Sequence, residues 1–284
     1  MSENKIYLCA ISNIKSDTCN EDCKFCTQSV KYKADIQRYR RKEVEDIVKE
    51  AIIARKNRAI GFCLVTAGTG LDDKRLDYVC RAASAIKKEL GDELSLIACN
   101  GIATLDQLKE LKKHGIENYN HNLETAQEFY NEICTTHPWE DRYQTCLNAK
   151  EAGLQLCTGG IFGLGETQEN RISMLKSIAS LEPMSVPINF FHPNEALPIV
   201  KNSISRKEAF ELIKLSREYL PNQMIMIAGG RELMFKEQEY DVFKHGANAL
   251  VVGDYLTTAG KTAQEDIDAI EALGYTIALD CKTR

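Results

Sequence analysis

The chain has 284 residues, of which 44% are hydrophobic and 27% are charged. This is enough apolar material for one large core, so we expect a single domain over residues 1–284. The 36 basic and 41 acidic side chains give a net charge of −5, with no block of like charges suited to nucleic acid. The first residues lack the features of a signal peptide, and no apolar stretch is long enough to span a membrane. We therefore expect a soluble, cytoplasmic protein that binds neither nucleic acid nor membrane.

Eleven cysteines need an explanation in such a chain. A reducing cytosol disfavours disulfides, and an odd number cannot be fully paired within one chain. Metal binding or catalysis is the role that this environment favours. The cysteines are Cys9, Cys19, Cys23, Cys26, Cys63, Cys80, Cys99, Cys134, Cys146, Cys157 and Cys281.

Short apolar runs alternate with helical patterns along the chain, which is typical of repeated β/α units. One helical pattern is formed by Val44, Ile47, Val48, Ala51 and Ile52. Their spacing places them on one buried stripe. The interval after the seventh strand has the weakest helical pattern. The eight predicted strands are residues 6–12, 61–67, 94–99, 118–122, 154–163, 185–191, 224–229 and 249–253.

Eight β/α units in one undivided chain predict an α/β fold of the (β/α)8 TIM-barrel type, in which functional residues lie at the carboxyl ends of the strands. A doubly wound open sheet is the alternative. The sequence disfavours it, because no GxGxxG motif follows the first strand. A long loop with several cysteines, residues 13–42, stands there instead.

That loop contains the string Cys19-Asn-Glu-Asp-Cys23-Lys-Phe-Cys26. Three closely spaced thiolates suit three irons of a [4Fe-4S] cluster and leave the fourth iron open to another ligand. A structural zinc site is the alternative, but zinc prefers four protein ligands, and no fourth cysteine or histidine pair follows at a suitable spacing. The motif therefore favours an iron–sulfur cluster.

The same string, with Phe25 before its last cysteine, resembles the signature of the radical S-adenosylmethionine (SAM) superfamily. The resemblance implies that Cys19, Cys23 and Cys26 bind the cluster and that the open iron holds SAM. It also implies that Phe25 packs near the adenine of SAM. Reduction of the cluster would cleave SAM to a 5′-deoxyadenosyl radical, so the cofactor would supply the reactive species.

Within that superfamily the chain resembles the biotin synthase family over nearly its whole length. The motifs that carry the resemblance are residues 19–29, 61–63, 119–125, 157–167, 186–189 and 228–232. The resemblance implies radical insertion of sulfur into dethiobiotin to form biotin, with an auxiliary iron–sulfur cluster, commonly [2Fe-2S], as the sulfur donor. It places that cluster on Cys63, Cys99 and Cys157. These residues lie on the predicted second, third and fifth strands, where alternate side chains point into a barrel.

One position departs from the family pattern. The family's usual fourth ligand is an arginine on the seventh strand, where this chain has Met226. Cys9 lies on the first strand, and odd-numbered strands share interior layers in a regular barrel. We therefore hypothesise that Cys9 is the fourth ligand, which would allow a four-iron auxiliary cluster. Cys134 and Cys281 are rivals for this role. Packing is the predicted role of the two cysteines in helical patterns, Cys80 and Cys146.

The resemblance also assigns polar residues to the substrate and to SAM. It places the ureido ring of dethiobiotin against Asn122 and Asn189, whose amides can donate and accept hydrogen bonds. The family usually has aspartate at the position of Glu124. His121 lies on the opposite strand face from its asparagine neighbours and is expected to be a structural histidine. The residues assigned to SAM are Asn120, Glu124, Arg142, Gly160 and Gly163.

The resemblance further implies several partners. Reduced flavodoxin or ferredoxin would supply electrons, and the basic residues 40–42 are a predicted exposed docking patch. Loss of the auxiliary cluster as sulfur donor would require iron–sulfur assembly proteins, and the family suggests a homodimer. Two other functions stay open. One is a different barrel-type radical SAM enzyme, such as a hydrogenase maturase or a mutase, and the other is a non-catalytic iron–sulfur sensor or carrier.

Overall fold

The computed structural model describes residues 4–253 and 260–280. The strands pair in parallel and in chain order, except that the fifth and the sixth both pair with the seventh; the tenth pairs with the first, and a pairing of the first with the ninth closes the barrel. Over these two ranges, no helix has the length and apolar character needed to cross a membrane. The strands are β1 (Lys5–Lys15), β2 (Gly61–Thr66), β3 (Ser95–Cys99), β4 (Asn118–Asn120), β5 (Gln155–Cys157), β6 (Gly160–Phe162), β7 (Ser185–Phe190), β8 (Met224–Ile227), β9 (Ala249–Val252) and β10 (Thr276–Ile277).

Helices connect the strands and cover the outside of the barrel. Several begin with a capping box. At α6, for example, the Thr167 side chain accepts from the Asn170 N–H, and the Asn170 side chain accepts from the Thr167 N–H. The helices are α1 (Val44–Lys56), α2 (Asp73–Leu90), α3 (Leu105–Lys113), α4 (Gln127–Ile133), α5 (Trp139–Glu151), α6 (Gln168–Ser180), α7 (Arg206–Tyr219), α8 (Arg231–Phe235) and α9 (Ala263–Ala272).

Side-chain alternation along the strands separates two apolar layers. On β2, Phe62 and Leu64 pack in the layer between strands and helices. Cys63 and Val65 belong to a second cluster inside the barrel. This arrangement confirms the predicted (β/α)8 fold. The segment between β8 and β9, which has the weakest helical pattern in the sequence, contains only the short α8 and two short 3-10 helices, as that pattern predicted.

Two strands differ from their predicted extent. β4 ends at Asn120 and does not continue to Asn122. The predicted strand at 154–163 is divided into β5 and β6. The physical reason lies on the neighbouring β7, where Pro187 has no N–H to donate and interrupts the ladder. Together, β5 and β6 occupy the fifth of the eight barrel positions.

Candidate functional site

The cysteine loop lies between β1 and α1, where β1 reaches the carboxyl end of the barrel. β1 continues to Lys15, so the loop covers residues 16–43 and not 13–42. The Cys26 N–H donates to the Cys23 carbonyl, and the Cys19 N–H donates to the Gln28 carbonyl, both at 3.0 Å. The backbone thus gathers the three predicted cluster cysteines into one compact turn.

Burial is the largest influence on the acidity of two of these thiols. It raises the pKa of Cys19 and of Cys26. The negative charges of Cys19 and Glu124 raise the pKa of Cys26 further. The interaction with Glu124 places the cysteine loop next to a residue predicted to contact SAM.

Four cysteines meet inside the barrel. Cys63 on β2 is hydrogen-bonded to Cys99 at the end of β3, and this contact, together with complete burial, raises the pKa of the Cys63 thiol well above its usual range. The negative charges of Cys157 on β5 and Cys9 on β1 raise that pKa further. The structure therefore brings the three predicted auxiliary-cluster thiols together with Cys9.

Cys9 points into the barrel below Cys63. It pairs with Gly61, two residues before Cys63 on β2, which corresponds to about 7 Å along the strand. A Cβ at Gly61 would lie only 3.0 Å from the Cys9 Sγ, so glycine leaves space for this thiol. Met226 on β8 is buried in the same interior cluster. Cys9 and the residue at the position of the family's arginine thus both belong to the interior cluster, and the Met226 thioether is a second candidate for the fourth position.

The remaining cysteines lie in other parts of the molecule. Cys80 on α2 and Cys146 on α5 are buried in the layer between strands and helices, as predicted. Cys134 lies beside the cysteine loop, with its sulfur 3.6 Å from that of Cys23. It belongs with the loop, which weakens it as a rival for the auxiliary cluster. Cys281 lies outside the described residues.

The predicted amide ligands stand where β4 and β7 approach their carboxyl ends. The Oδ1 of Asn120 is buried and has no hydrogen-bond partner in the described part of the chain. The Oδ1 of Asn122 accepts from the Gly159 N–H at 3.1 Å, and the Oδ1 of Asn189 accepts from the Gly229 N–H at 2.9 Å. A buried acceptor without a partner is typical of a ligand-binding site, so Asn120 is the most direct ligand candidate of the three.

Glu124 and Arg142 form an ion pair beside these amides. Their closest atoms are 3.5 Å apart, and the side chains are only 13% and 11% exposed. Arg142 also donates to the Tyr130 hydroxyl at 2.6 Å and to the Asn122 carbonyl at 3.1 Å. Burial raises the pKa of Glu124, and the Arg142 guanidinium opposes this rise. Glu124 has φ of +67°, a strained conformation that is typical of functional sites.

A glycine turn follows β6 and is held by Glu166. The Glu166 carboxylate accepts from the N–H groups of Gly163 at 3.0 Å and Leu164 at 2.7 Å. It also pairs with Arg171 at 2.9 Å, and its side chain is almost fully buried. The predicted SAM residue Gly163 therefore lies in a turn whose backbone is fixed from within the protein.

We expect Gly163→Ala to lower the free energy of unfolding by about 2 kcal/mol. Its Cβ would lie 2.2 Å from the Asn202 Oδ1, and φ is +97° at this position. Denaturant unfolding followed by circular dichroism would measure the loss. Gly165→Ala is the matched control, because φ is +104° there but no atom lies within 4 Å of the added Cβ. Equal losses in both variants would rule out the Asn202 contact as a cause.

His121 is buried between Asn120 and Asn122, which agrees with the structural role expected of it, although that expectation included hydrogen bonds to the ring. Its Nε2 has no hydrogen-bond partner among the residues described. Burial, assisted by the positive charge of Arg142, lowers the pKa of His121 well below its ordinary value. The imidazole is therefore neutral in the folded protein.

Because His121 is neutral in the folded protein, we expect the protein to lose stability in acid. Below about pH 6.5 the unfolded chain binds a proton at His121 that the folded protein does not bind, so the free energy of unfolding falls by up to about 1.4 kcal/mol per pH unit from this group. We expect His121→Asn to show a shallower fall than the wild type when unfolding is measured between about pH 5 and 7. The exposed His192 provides the control variant His192→Asn. Equal slopes for the wild type and His121→Asn would contradict the prediction.

The basic patch predicted at residues 40–42 is exposed only in part. Arg40 and Arg41 are exposed. Lys42 is half-buried, and its Nζ lies 2.6 Å from the Glu50 carboxylate. Because the Lys42 charge is already paired, only the two arginines of the predicted patch remain as exposed basic side chains.

Comparison with known protein families supports the iron–sulfur interpretation of this site. The Radical SAM superfamily model matches residues 13–178, and the Biotin and Thiamin Synthesis associated domain model matches residues 187–276. The chain is similar to the biotin synthase of Aliarcobacter butzleri, with 82% identity over 281 residues and 99% of each chain covered. It is also similar to the biotin synthase of a Nitratiruptor species, with 63% identity over 277 residues that cover 98% of this chain and 99% of the relative.

Solved structures share the fold at much lower sequence identity. The FeFe-hydrogenase maturase HydG from Carboxydothermus hydrogenoformans superimposes with a TM-score of 0.82 and 21% identity, covering 97% of this chain and 68% of that one. Methylornithine synthase (PylB) gives a TM-score of 0.83 and 18% identity, covering 97% and 84% of the two chains. At these identities the similarity concerns the fold alone.

Proposed function

The chain belongs to the biotin synthase family of the radical SAM superfamily, and on this premise we propose how its residues serve the family's reaction. The chain is an enzyme that inserts sulfur into dethiobiotin to form biotin, with a [4Fe-4S] cluster, SAM and an auxiliary iron–sulfur cluster. When bound, SAM and its cluster supply the species that removes hydrogen atoms, and the auxiliary cluster supplies the sulfur.

We assign the SAM cluster to Cys19, Cys23 and Cys26. Their position in one turn at the barrel mouth supports the assignment. Thiolates are the usual protein ligands of such clusters, and three of them leave one iron for SAM. Phe25, which is partly buried against the outer core, is the proposed contact of the adenine.

SAM is proposed to lie between the cysteine loop and the glycine turn. Asn120 offers an acceptor without a protein partner among the described residues. Arg142 would hold the SAM carboxylate, and Glu124 would hold the ribose hydroxyls, since both are buried beside the loop. Gly160 and Gly163 lack side chains, so the backbone can approach the adenosyl group closely.

The auxiliary cluster is assigned to Cys63, Cys99 and Cys157, with Cys9 as the fourth ligand. The observation that carries the proposal is that Cys9, Cys63 and Cys99 share one interior cluster, with Cys63 hydrogen-bonded to Cys99 and also influenced by the charge of Cys157. Four thiolates suit a four-iron cluster, whereas a [2Fe-2S] cluster is common in the family. Met226 then has only a packing role.

Dethiobiotin is proposed to bind between the two clusters, with its ureido ring against Asn122 and Asn189. A backbone N–H donates to the Oδ1 of each amide, and the Nδ2 groups donate to the Glu124 carboxylate at 3.4 Å and to the Gly160 carbonyl at 3.2 Å, respectively. Each amide keeps one N–H and one lone pair for the ureido ring. This arrangement holds the ring without a general base, since abstraction of a hydrogen atom does not need one.

The remaining proposals concern partners and location. Reduced flavodoxin or ferredoxin would dock at the exposed Arg40 and Arg41, and iron–sulfur assembly proteins would rebuild the auxiliary cluster. A homodimer is proposed from the family. We place the enzyme in the cytoplasm, a reducing compartment in which thiols assigned to iron–sulfur clusters are not oxidised to disulfides.

Anaerobic reconstitution with iron and sulfide, followed by Mössbauer spectroscopy and a single-turnover assay, would test this function. SAM, dithionite and dethiobiotin are the reactants, and biotin and 5′-deoxyadenosine are the expected products. Cleavage of SAM without biotin would overturn the substrate assignment. A stable cluster without any SAM cleavage would instead indicate an iron–sulfur sensor or carrier.

A further inference from the structure

The connection between α4 and α5 is fixed against the cysteine loop by several hydrogen bonds. The Asp22 carboxylate accepts from the backbone N–H groups of Thr135 at 2.8 Å and Thr136 at 3.2 Å. The Lys24 N–H donates to the Ile133 carbonyl at 2.9 Å. The turn formed by residues 134–137 therefore has a defined position relative to Cys23, which lies between Asp22 and Lys24.

This turn places a second thiol against a proposed cluster ligand. Cys134 is completely buried, and its Sγ lies 3.6 Å from that of Cys23. The ligand atoms of Cys23, Cys134 and His137 lie within 4.8 Å of one another. Contact between two buried sulfurs at this distance permits one S–H group to donate to the other sulfur.

The polar neighbours of His137 favour one assignment of donors and acceptors in this cluster. Arg142 donates to the Tyr130 hydroxyl at 2.6 Å, and that hydroxyl lies 2.7 Å from the His137 Nε2. The His137 Nδ1 lies 2.6 Å from the Glu21 carboxylate, which can only accept when ionised. The network is consistent when Tyr130 donates to Nε2 and Nδ1 donates to Glu21. The His137 Nδ1 is then occupied as a donor and does not accept from Cys134, whose sulfur is 3.4 Å away.

We propose that Cys134 is a positioning residue that donates a hydrogen bond to the ligating sulfur of Cys23 and raises the reduction potential of the SAM cluster. The inference rests on the proposed assignment of Cys23 to that cluster. In the absence of iron, Cys23 is the donor in this pair. A cysteine must lose its proton to bind iron, so the bound Cys23 can only accept. The Cys134 S–H is then the donor to that sulfur, with the Thr136 hydroxyl at 3.6 Å as its other neighbour. Hydrogen bonds to cluster sulfurs tune the potential, and this one stabilises the more negatively charged reduced state.

Redox titration of the reconstituted protein, monitored by electron paramagnetic resonance without SAM, would test this role. We expect Cys134→Ala to lower the ratio of reduced to oxidised cluster about tenfold at a fixed solution potential, equivalent to a shift of about −59 mV for a one-electron couple. Cys134→Ser keeps a donor and should shift the ratio less. Cys80→Ala is the matched control, because it removes a buried thiol that belongs to α2 and not to the cysteine loop or the 134–137 turn.

The outcomes separate this inference from the proposed function. If the wild type shows no [4Fe-4S] signal, the function fails. If the wild type has the signal and Cys134→Ala has the same potential, only the role of Cys134 is overturned. Iron loss in both Cys134 variants, with iron retained by Cys80→Ala, would also overturn it, because Cys134 would then be a ligand or essential for assembly.

Discussion

Cys63→Ala is expected to reduce biotin formation by about a thousandfold or more, because it removes a ligand of the sulfur-donating cluster. Cys63 is buried and is hydrogen-bonded to Cys99, so an alanine there leaves no other donor atom at its position. Cys19, Cys23 and Cys26 belong to a separate loop and should still bind the SAM cluster. The single-turnover assay and Mössbauer spectra would measure both effects.

Two measurements separate loss of the auxiliary cluster from general misfolding. Cleavage of SAM to 5′-deoxyadenosine should persist in Cys63→Ala, and the Mössbauer doublet of the SAM cluster should remain. Cys80→Ala removes a thiol that is equally buried, but between strands and helices, and should form biotin at the wild-type level. Biotin formation by Cys63→Ala at the wild-type level would eliminate Cys63 as a ligand.

Local patterns were sufficient to predict the barrel. Apolar runs of strand length, separated by helical stripes such as that of Val44 and Ile47, identified the eight barrel positions. The division of the fifth strand was not predicted, because its cause is Pro187 on a neighbouring strand. Strand pairing depends on both partners, so a pattern within one segment cannot reveal such a break.

In the site, too, contacts between residues close in sequence were predictable and contacts between distant residues were not. Cys19, Cys23 and Cys26 are close in sequence, so their spacing alone indicated a cluster. The contact of Cys134 with Cys23 joins residues 111 positions apart, and the sequence placed Cys134 only as a rival for the auxiliary cluster. The Cys-Thr-Thr-His string at 134–137 is visible in the sequence. Its contact with Cys23 depends on how the turn packs against the cysteine loop, and hydrophobic periodicity does not predict the position of a turn.

Cys9→Ala is expected to change the Mössbauer spectrum of the auxiliary cluster and to lower the single-turnover yield of biotin by at least about tenfold. The reason is the position of Cys9, inside the barrel and close to Cys63. SAM cleavage should continue, because Cys9 is not part of the cysteine loop. Gly61→Ala provides a related test, since its Cβ would lie 3.0 Å from the Cys9 Sγ and would displace that thiol.

Met226→Leu distinguishes the two candidates for the fourth position, because leucine nearly conserves the volume of methionine but has no donor atom. If Cys9 is the ligand, Met226→Leu keeps the wild-type spectrum and Cys9→Ala does not. The reverse result would identify the thioether of Met226 as the ligand. Wild-type spectra in both variants would place the fourth ligand on another residue, and the role of Cys9 would then be limited to packing against Gly61 and Ile97.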